Sequence, residues 1–116
     1  MIYSSTSLAA VSGDNEMEEA TQAENAGNYQ IAETKYCEAI EKFKDSKRQL
    51  PLSFALNSLS NLYVKHNQLG KAVDAYESAV EIRRTALARG TDDRGAQLSE
   101  SVRKAVQKDL GLTMVH

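Results

Sequence analysis

The chain has no tryptophan, one cysteine, one proline and six glycines in 116 residues, and aromatics make up only 6 % of it. Each scarcity excludes something. Lone Cys37 cannot close an internal disulfide, so a reducing, cytoplasmic setting is expected. Few aromatics leave little material for an aromatic ligand cage. Few prolines and glycines argue against a sheet sandwich, which needs many turns. No run approaches ~20 apolar residues, so no membrane-spanning helix is expected. Fourteen basic residues face sixteen acidic ones, and a net charge of −2 lacks the basic surplus of a nucleic-acid binder. Met1 to Leu8 has neither a basic start nor a long apolar core, so it does not read as a secretory signal.

Chemistry is as poorly supplied. The two histidines, His66 and His116, stand far apart with no carboxylate or cysteine at ligand spacing, so no metal and no cofactor are expected. No glycine-rich phosphate loop exists. Cys37 has no histidine at a suggestive spacing in its helix and reads as a small, semi-buried filler. Glu16, Glu18 and Glu19 suit the first turn of a helix, and Arg83, Arg84 and Arg89 suit the last turns of another. The chain is not expected to be an enzyme.

What remains is helical. Apolar residues are 41 % and charged residues 26 %, enough for one modest core and one domain. Residues 1–13 show no helical period and read as a flexible arm. Asp14 is a candidate cap for a first helix that Gly27 and Asn28 stop. Tyr29, Ala32, Tyr36, Ala39, Ile40 and Phe43 make an amphipathic stripe over about 29–46. Pro51 fits the first turn of a third helix carrying Leu52, Ala55, Leu56, Leu59, Leu62 and Tyr63. His66, Asn67 and Gln68 break it. A fourth helix runs from Leu69 to Gly90. Thr91, Asp92 and Asp93 offer a cap for a fifth, over about 93–110, and 111–116 read as a tail. Nothing alternates with period two, so the expectation is all-α, with short connections between antiparallel neighbours. Charge divides unevenly: residues 1–46 hold nine acids and three bases, and residues 47–116 hold seven acids and eleven bases.

The chain also repeats itself with a period of 40. Ala32-x3-Tyr36-x2-Ala39-Ile40-Glu41 matches Ala72-x3-Tyr76-x2-Ala79-Val80-Glu81, and Gly27-Asn28-Tyr29 lies over Asn67-Gln68-Leu69. Paired alanines let an antiparallel helix approach closely, and a tyrosine one turn along fills the gap between hairpins. This pattern resembles the tetratricopeptide repeat, a helix–turn–helix unit of about 34 residues. Leu59 and Tyr63 stand where that family prefers Leu and Tyr, and Ser60 replaces its Gly. The longer period is similar to kinesin-light-chain-type repeats. In the first unit Glu16, Glu19, Ala20 and Ala23 replace the family's Trp, Leu, Gly and Tyr. A three-helix trafficking domain of the microtubule-interacting type also uses a Gly-Asn-Tyr turn before Ala-x3-Tyr-x2-Ala, but the second copy argues against it.

The resemblance implies a right-handed superhelix over 14–110: repeat one at about 14–46, repeat two at about 51–89, then a capping helix. Ala32, Tyr36, Ala39, Leu59, Tyr63, Ala72, Tyr76 and Ala79 would pack the repeats. It implies a concave groove holding a peptide segment of a partner protein. On helix three Asn57, Asn61 and Lys65 share a polar face flanked by Phe54 and Val64. The corresponding face of helix one holds Met17, Thr21, Glu24 and Asn25, and that of helix five holds Arg94, Gln97, Ser101 and Lys104. Lys65 or Lys104 would read an acidic group. Met17 and Thr21 stand where the chaperone-tail clamp has Lys and Asn, so that ligand is not expected. The implied function is a protein-binding adaptor or scaffold. The alternative is a self-assembling structural unit, a homodimer or oligomer with no peptide ligand.

Overall fold

The computed structural model describes residues 13–90, 97 and 99–109, and all its regular structure there is helical. Five helices follow one another: α1 (Asp14–Asn25), α2 (Tyr29–Asp45), α3 (Gln49–Lys65), α4 (Leu69–Arg89) and α5 (Glu100–Asp109). Of the expected arm (1–13), residues 1–12 lie outside the described set, while Gly13 is buried against the start of α1; the tail (111–116) and Thr91, Asp92, Asp93 and Arg94 also lie outside it.

Three connections are built alike. Gly27, Lys47 and Asn67 each take a left-handed backbone conformation, with φ of 82°, 59° and 59°. The next residue in each turn, Asn28, Arg48 or Gln68, donates its N–H to the carbonyl of Ala23, Phe43 or Tyr63 at 2.8–2.9 Å. That is the Schellman closure, which satisfies carbonyls left open at a helix end. Each helix begins again one residue later, so α2 and α3 each occupy 20 residues with their turns, and the period of 40 is two such units. The unit ends at α4. No turn-forming residue stands at Ala86-Leu87-Ala88, so the helix runs another turn to Gly90, whose φ is 72°.

Three helix starts differ from expectation. Gly13, not Asp14, is the N-cap of α1, and no side chain caps that end. A Cβ at Gly13 would lie 2.7 Å from Phe43 Cε1, and its φ of 86° also disfavours other residues. Asp14 instead accepts from Arg48 Nη1 at 3.3 Å. α3 begins at Gln49, so Pro51 is its third residue, where a missing N–H still costs nothing. α5 begins at Glu100 rather than near 93. Ser99 Oγ accepts the Val102 N–H at 3.2 Å and acts as its cap.

Consecutive helices pack antiparallel. Between α1 and α2, Glu16 meets Lys42, Glu19 meets Lys35, and Glu24 meets Tyr36. Between α2 and α3, Glu33 accepts from the Tyr63 hydroxyl at 2.9 Å, and the Tyr29 ring lies 3.7 Å from that of His66. Between α3 and α4, Ser60 Oγ donates to the Ala72 carbonyl at 2.8 Å.

One apolar cluster joins the first four helices. It holds Ala20 and Ala23 of α1, Ala32, Tyr36, Ala39, Ile40 and Phe43 of α2, Leu52, Ala55, Leu59, Leu62 and Tyr63 of α3, and Ala72 of α4. Each large side chain fully buried there contributes about 1.5–3 kcal/mol. A smaller cluster, Leu50 and Ala86 with Leu87 and Val102, holds α5 against the end of α4.

Three side chains sit elsewhere than their spacing suggests. Tyr76, expected to pack repeats, is 41 % exposed, while Tyr36 at the matching position is 2 % exposed. Arg83, read as a last-turn cation, is fully buried, because α4 continues beyond it and its position falls 40 residues after buried Phe43. Its Nε donates to Ser53 Oγ at 3.2 Å, and its guanidinium lies 4.7 Å from the Phe54 ring. Cys37 is exposed rather than semi-buried, and partial desolvation of the thiol, with Glu33 and Glu41 nearby, pushes its pKa up.

Candidate functional site

The C-terminal ends of α1 and α3 lie side by side. Lys65 Nζ donates to Glu24 Oε2 at 2.6 Å, and the Tyr36 hydroxyl donates to Glu24 Oε1 at 2.7 Å. An open groove of about 340 Å³ runs over this junction, lined by Glu24, Tyr36, Ser58, Asn61, Val64 and Lys65. Helical spacing produces the set. Ser58, Asn61 and Lys65 fall three and four apart, on the side of α3 opposite Leu52 and Leu59, which face the core.

The electrostatics are set by Glu24. Burial alone would push its carboxyl up. The hydrogen bonds from Lys65 and Tyr36, with the charge of Lys65, outweigh that and hold it below the ordinary glutamate value. Its partner phenol shifts the other way. Burial, then the bond to Glu24, pushes Tyr36 up to about 12. At neutral pH the groove therefore holds an ionised carboxylate already bonded on both oxygens. Such a group is suited to holding Lys65 and Tyr36 in place rather than to passing protons.

The remaining bonding capacity belongs to other groups. Asn61 is exposed and offers a donor and an acceptor, the pair that a peptide bond requires. Ser58 adds a hydroxyl. Val64, 53 % exposed, gives an apolar contact. The Lys65 side chain is 62 % exposed and keeps N–H donors beyond the one on Glu24.

Four of the expected groove-face residues meet here: Glu24, Asn61, Val64 and Lys65. The others do not. Asn57 is half-buried on α3 outside the lining, and Phe54 stands against Arg83. Met17 packs against the core cluster, and the Thr21 hydroxyl donates to the Met17 carbonyl of its own helix at 3.0 Å. Gln97 and Ser101 are exposed, and Lys104 pairs with Glu100 at 3.5 Å. α5 packs on the far end of α4 through Val102, and none of its described side chains lines the groove.

Ser58 and Tyr36 were not anticipated as lining. Ser58 lies three residues before Asn61, so the same helical spacing could have found it. Tyr36 was read only as packing, yet a buried tyrosine hydroxyl needs a partner, and its partner is the groove carboxylate. Among the described residues, no group of three His, Cys, Asp or Glu side chains could hold a metal ion, and no helix is long and apolar enough to cross a membrane. Comparison with protein-family models, with curated proteins and with solved structures found no match.

Proposed function

We propose that this chain is a tetratricopeptide-like docking module that holds an extended peptide segment of another protein in the groove between α1 and α3. The observation that carries this reading is the groove itself. Its volume is within the range of ligand sites, about 300–1,000 Å³. Its lining alternates backbone-matching polar groups with an apolar side chain, the composition a peptide needs. The period of 40, the three like turns and the lateral pairing of α1 with α3 support a stacked-repeat architecture, a right-handed superhelix.

In this reading Asn61 fixes the peptide backbone and Val64 takes an apolar side chain. Lys65, held by Glu24, offers its outer N–H donors to an acidic group. The module acts by binding and performs no chemistry, and a cytoplasmic partner fits its single exposed cysteine.

The test is a displayed random-peptide library selected on the native chain. Recovered peptides are then measured against Asn61→Ala and Lys65→Met variants whose circular dichroism matches the native chain. Loss of about tenfold or more in affinity for either variant is expected, since a hydrogen bond to a charged group contributes roughly 1.5–3 kcal/mol. Peptides that bind both variants as tightly as the native chain, or a selection that recovers none, would refute the groove.

A further inference from the structure

We propose that the outer face of the α3–α4 hairpin, where Val64, Leu69 and Val73 stand exposed, is the contact surface of a two-fold dimer and is covered by the same face of a second copy. The face is recognisable because α4 carries two apolar stripes. Ala72, Ala75, Ala79 and Ala86 form one and are buried. Leu69, Val73, Tyr76, Val80 and Leu87 form the other, at intervals of three, four and seven. A helix with solvent behind it needs only one such stripe.

The first hairpin shows what the second stripe is for. Forty residues earlier its first four positions read Tyr29, Glu33, Tyr36 and Ile40 on α2, where α3 lies over them, while Leu87 falls on Lys47 in the turn. Tyr36 and Ile40 are 2 % and 6 % exposed. On α4 the cover is partial. Val102 of α5 packs beside Leu87 at the C-terminal end. Toward the N-terminal end, Leu69, Val73 and Tyr76 are 55 %, 52 % and 41 % exposed, flanked by Phe54 and Val64 of α3 at 37 % and 53 %. Of the large exposed hydrophobics in the described residues, only Ile31 lies off this face. The exposed part of the stripe at Leu69 and Val73 thus continues an interface that the chain has already built once.

Among the described residues a second copy offers one match. Head-to-tail stacking would set the stripe against α1, but every exposed residue of α1 (Asp14, Asn15, Glu18, Glu19, Thr21, Gln22, Asn25) is polar. Apart from Ile31, the large exposed hydrophobics among the copy's described residues lie on the same face. The pairing is therefore isologous and closes at two chains. The edges agree in charge as well. Exposed Asp74, Glu77 and Glu81 border the stripe on the α4 side, and Lys65 borders it on the α3 side. A two-fold axis parallel to the helices lays each lysine edge over the partner's acidic edge.

Sedimentation equilibrium of the full chain over roughly three decades of concentration tests this. The expected mass rises to twice that of one chain and stops there. Val73→Glu, at an exposed site that leaves the hairpin folded, is expected to weaken association at least about tenfold, and Ile31→Glu to leave it unchanged. A monomer at every concentration overturns the proposal. So does a mass that climbs past two chains, which is open-ended stacking, or association that Val73→Glu leaves intact. Val64 and Lys65 belong to both faces, so dimer and peptide compete for them. Failure here leaves the peptide groove in place, because that reading is measured on peptides with the Asn61→Ala and Lys65→Met variants.

Discussion

The two hairpins place the same residues at the same spacing and give them different surroundings. Tyr36 and Tyr76 both follow an alanine by four residues and precede another by three. Tyr36 is 2 % exposed, because α3 lies over α2 and Glu24 takes its hydroxyl, while Tyr76 is 41 % exposed. Phe43 and Arg83 also correspond, and both are buried, one in the apolar cluster and one on Ser53. Spacing therefore decides which way a side chain points. Burial is decided by whether a further helix arrives on that side.

The largest expected effect tests this directly. Tyr36→Ala removes a buried aromatic side chain and strands one oxygen of Glu24, and is expected to cost about 3–5 kcal/mol. Tyr76→Ala is expected to cost less than about 1 kcal/mol in the monomer. Urea unfolding of the two variants at low concentration is the measurement. Equal losses would mean that the second stripe is covered within the chain itself.

Next in size is a comparison of two glycines with similar backbone. Gly13 and Gly90 both have left-handed φ, at 86° and 72°, but only Gly13 faces a ring, with nothing within 4 Å of a Cβ at Gly90. Gly90→Ala is expected to cost about 1–2 kcal/mol for the conformation alone. Gly13→Ala adds overpacking against Phe43, a further ~1–3 kcal/mol. Thermal unfolding of both variants reads the difference, and equal shifts would show that Phe43 yields freely.

Much of this fold was legible in the residues, and the reasons are local. The alanine–tyrosine stripes, Gly27, Asn67 and Gly90 each act within a few positions, so helices α2 and α4 and their ends could be read directly. The turn at Lys47 could not, because lysine carries no preference for positive φ, and Pro51 drew attention two residues too late. The start of α5 differs for a related reason: Thr91, Asp92 and Asp93 resemble a cap in sequence, while the helix begins at Glu100 with Ser99 as its cap. Of the groove, the α3 side was legible from i, i+3 and i+4 spacing. On the α1 side Glu24 was legible as part of the groove face, but its bonds to Tyr36 and Lys65 were not, because no single stripe encodes a coincidence of three helices.

That three-helix contact makes the first hairpin sensitive to acid in a way that the second is not. Burial raises the carboxyls of Glu16 and Glu24, but a lysine and a backbone hydrogen bond at Glu16, and lysine and tyrosine hydrogen bonds at Glu24, hold both below their ordinary value. A carboxyl depressed in the folded state lends stability that is fully present above the unfolded pKa and is lost as pH falls through the folded one. Position 64, which matches Glu24, is valine and has no such dependence. The thermal midpoint of the native chain is expected to fall on acidification below the ordinary glutamate range. Glu24→Gln should start lower at neutral pH and show a shallower acid limb. An acid limb of unchanged slope would remove Glu24 from the account.

The smallest effect concerns the small residue at the crossing of each hairpin. Ala20 in α1 and Ser60 in α3 are 40 residues apart, at 0 % and 5 % exposure. Ser60 bonds the carbonyl of Ala72, and Ala32, the counterpart of Ala72, lies across from Ala20. Replacing Ser60 with alanine removes one neutral hydrogen bond and leaves a carbonyl inside its own helix, so a loss of about 1 kcal/mol is expected. The reciprocal change, Ala20→Ser, places a hydroxyl where the Ala32 carbonyl can receive it, and should fall within about 0.5 kcal/mol of the native chain. The pair of measurements separates two causes of a small residue at a crossing. If Ala20→Ser is costly, the first crossing is too tight for one more oxygen, and its alanine is set by volume. If it is neutral, the two crossings share one geometry, and serine and alanine are interchangeable solutions to it.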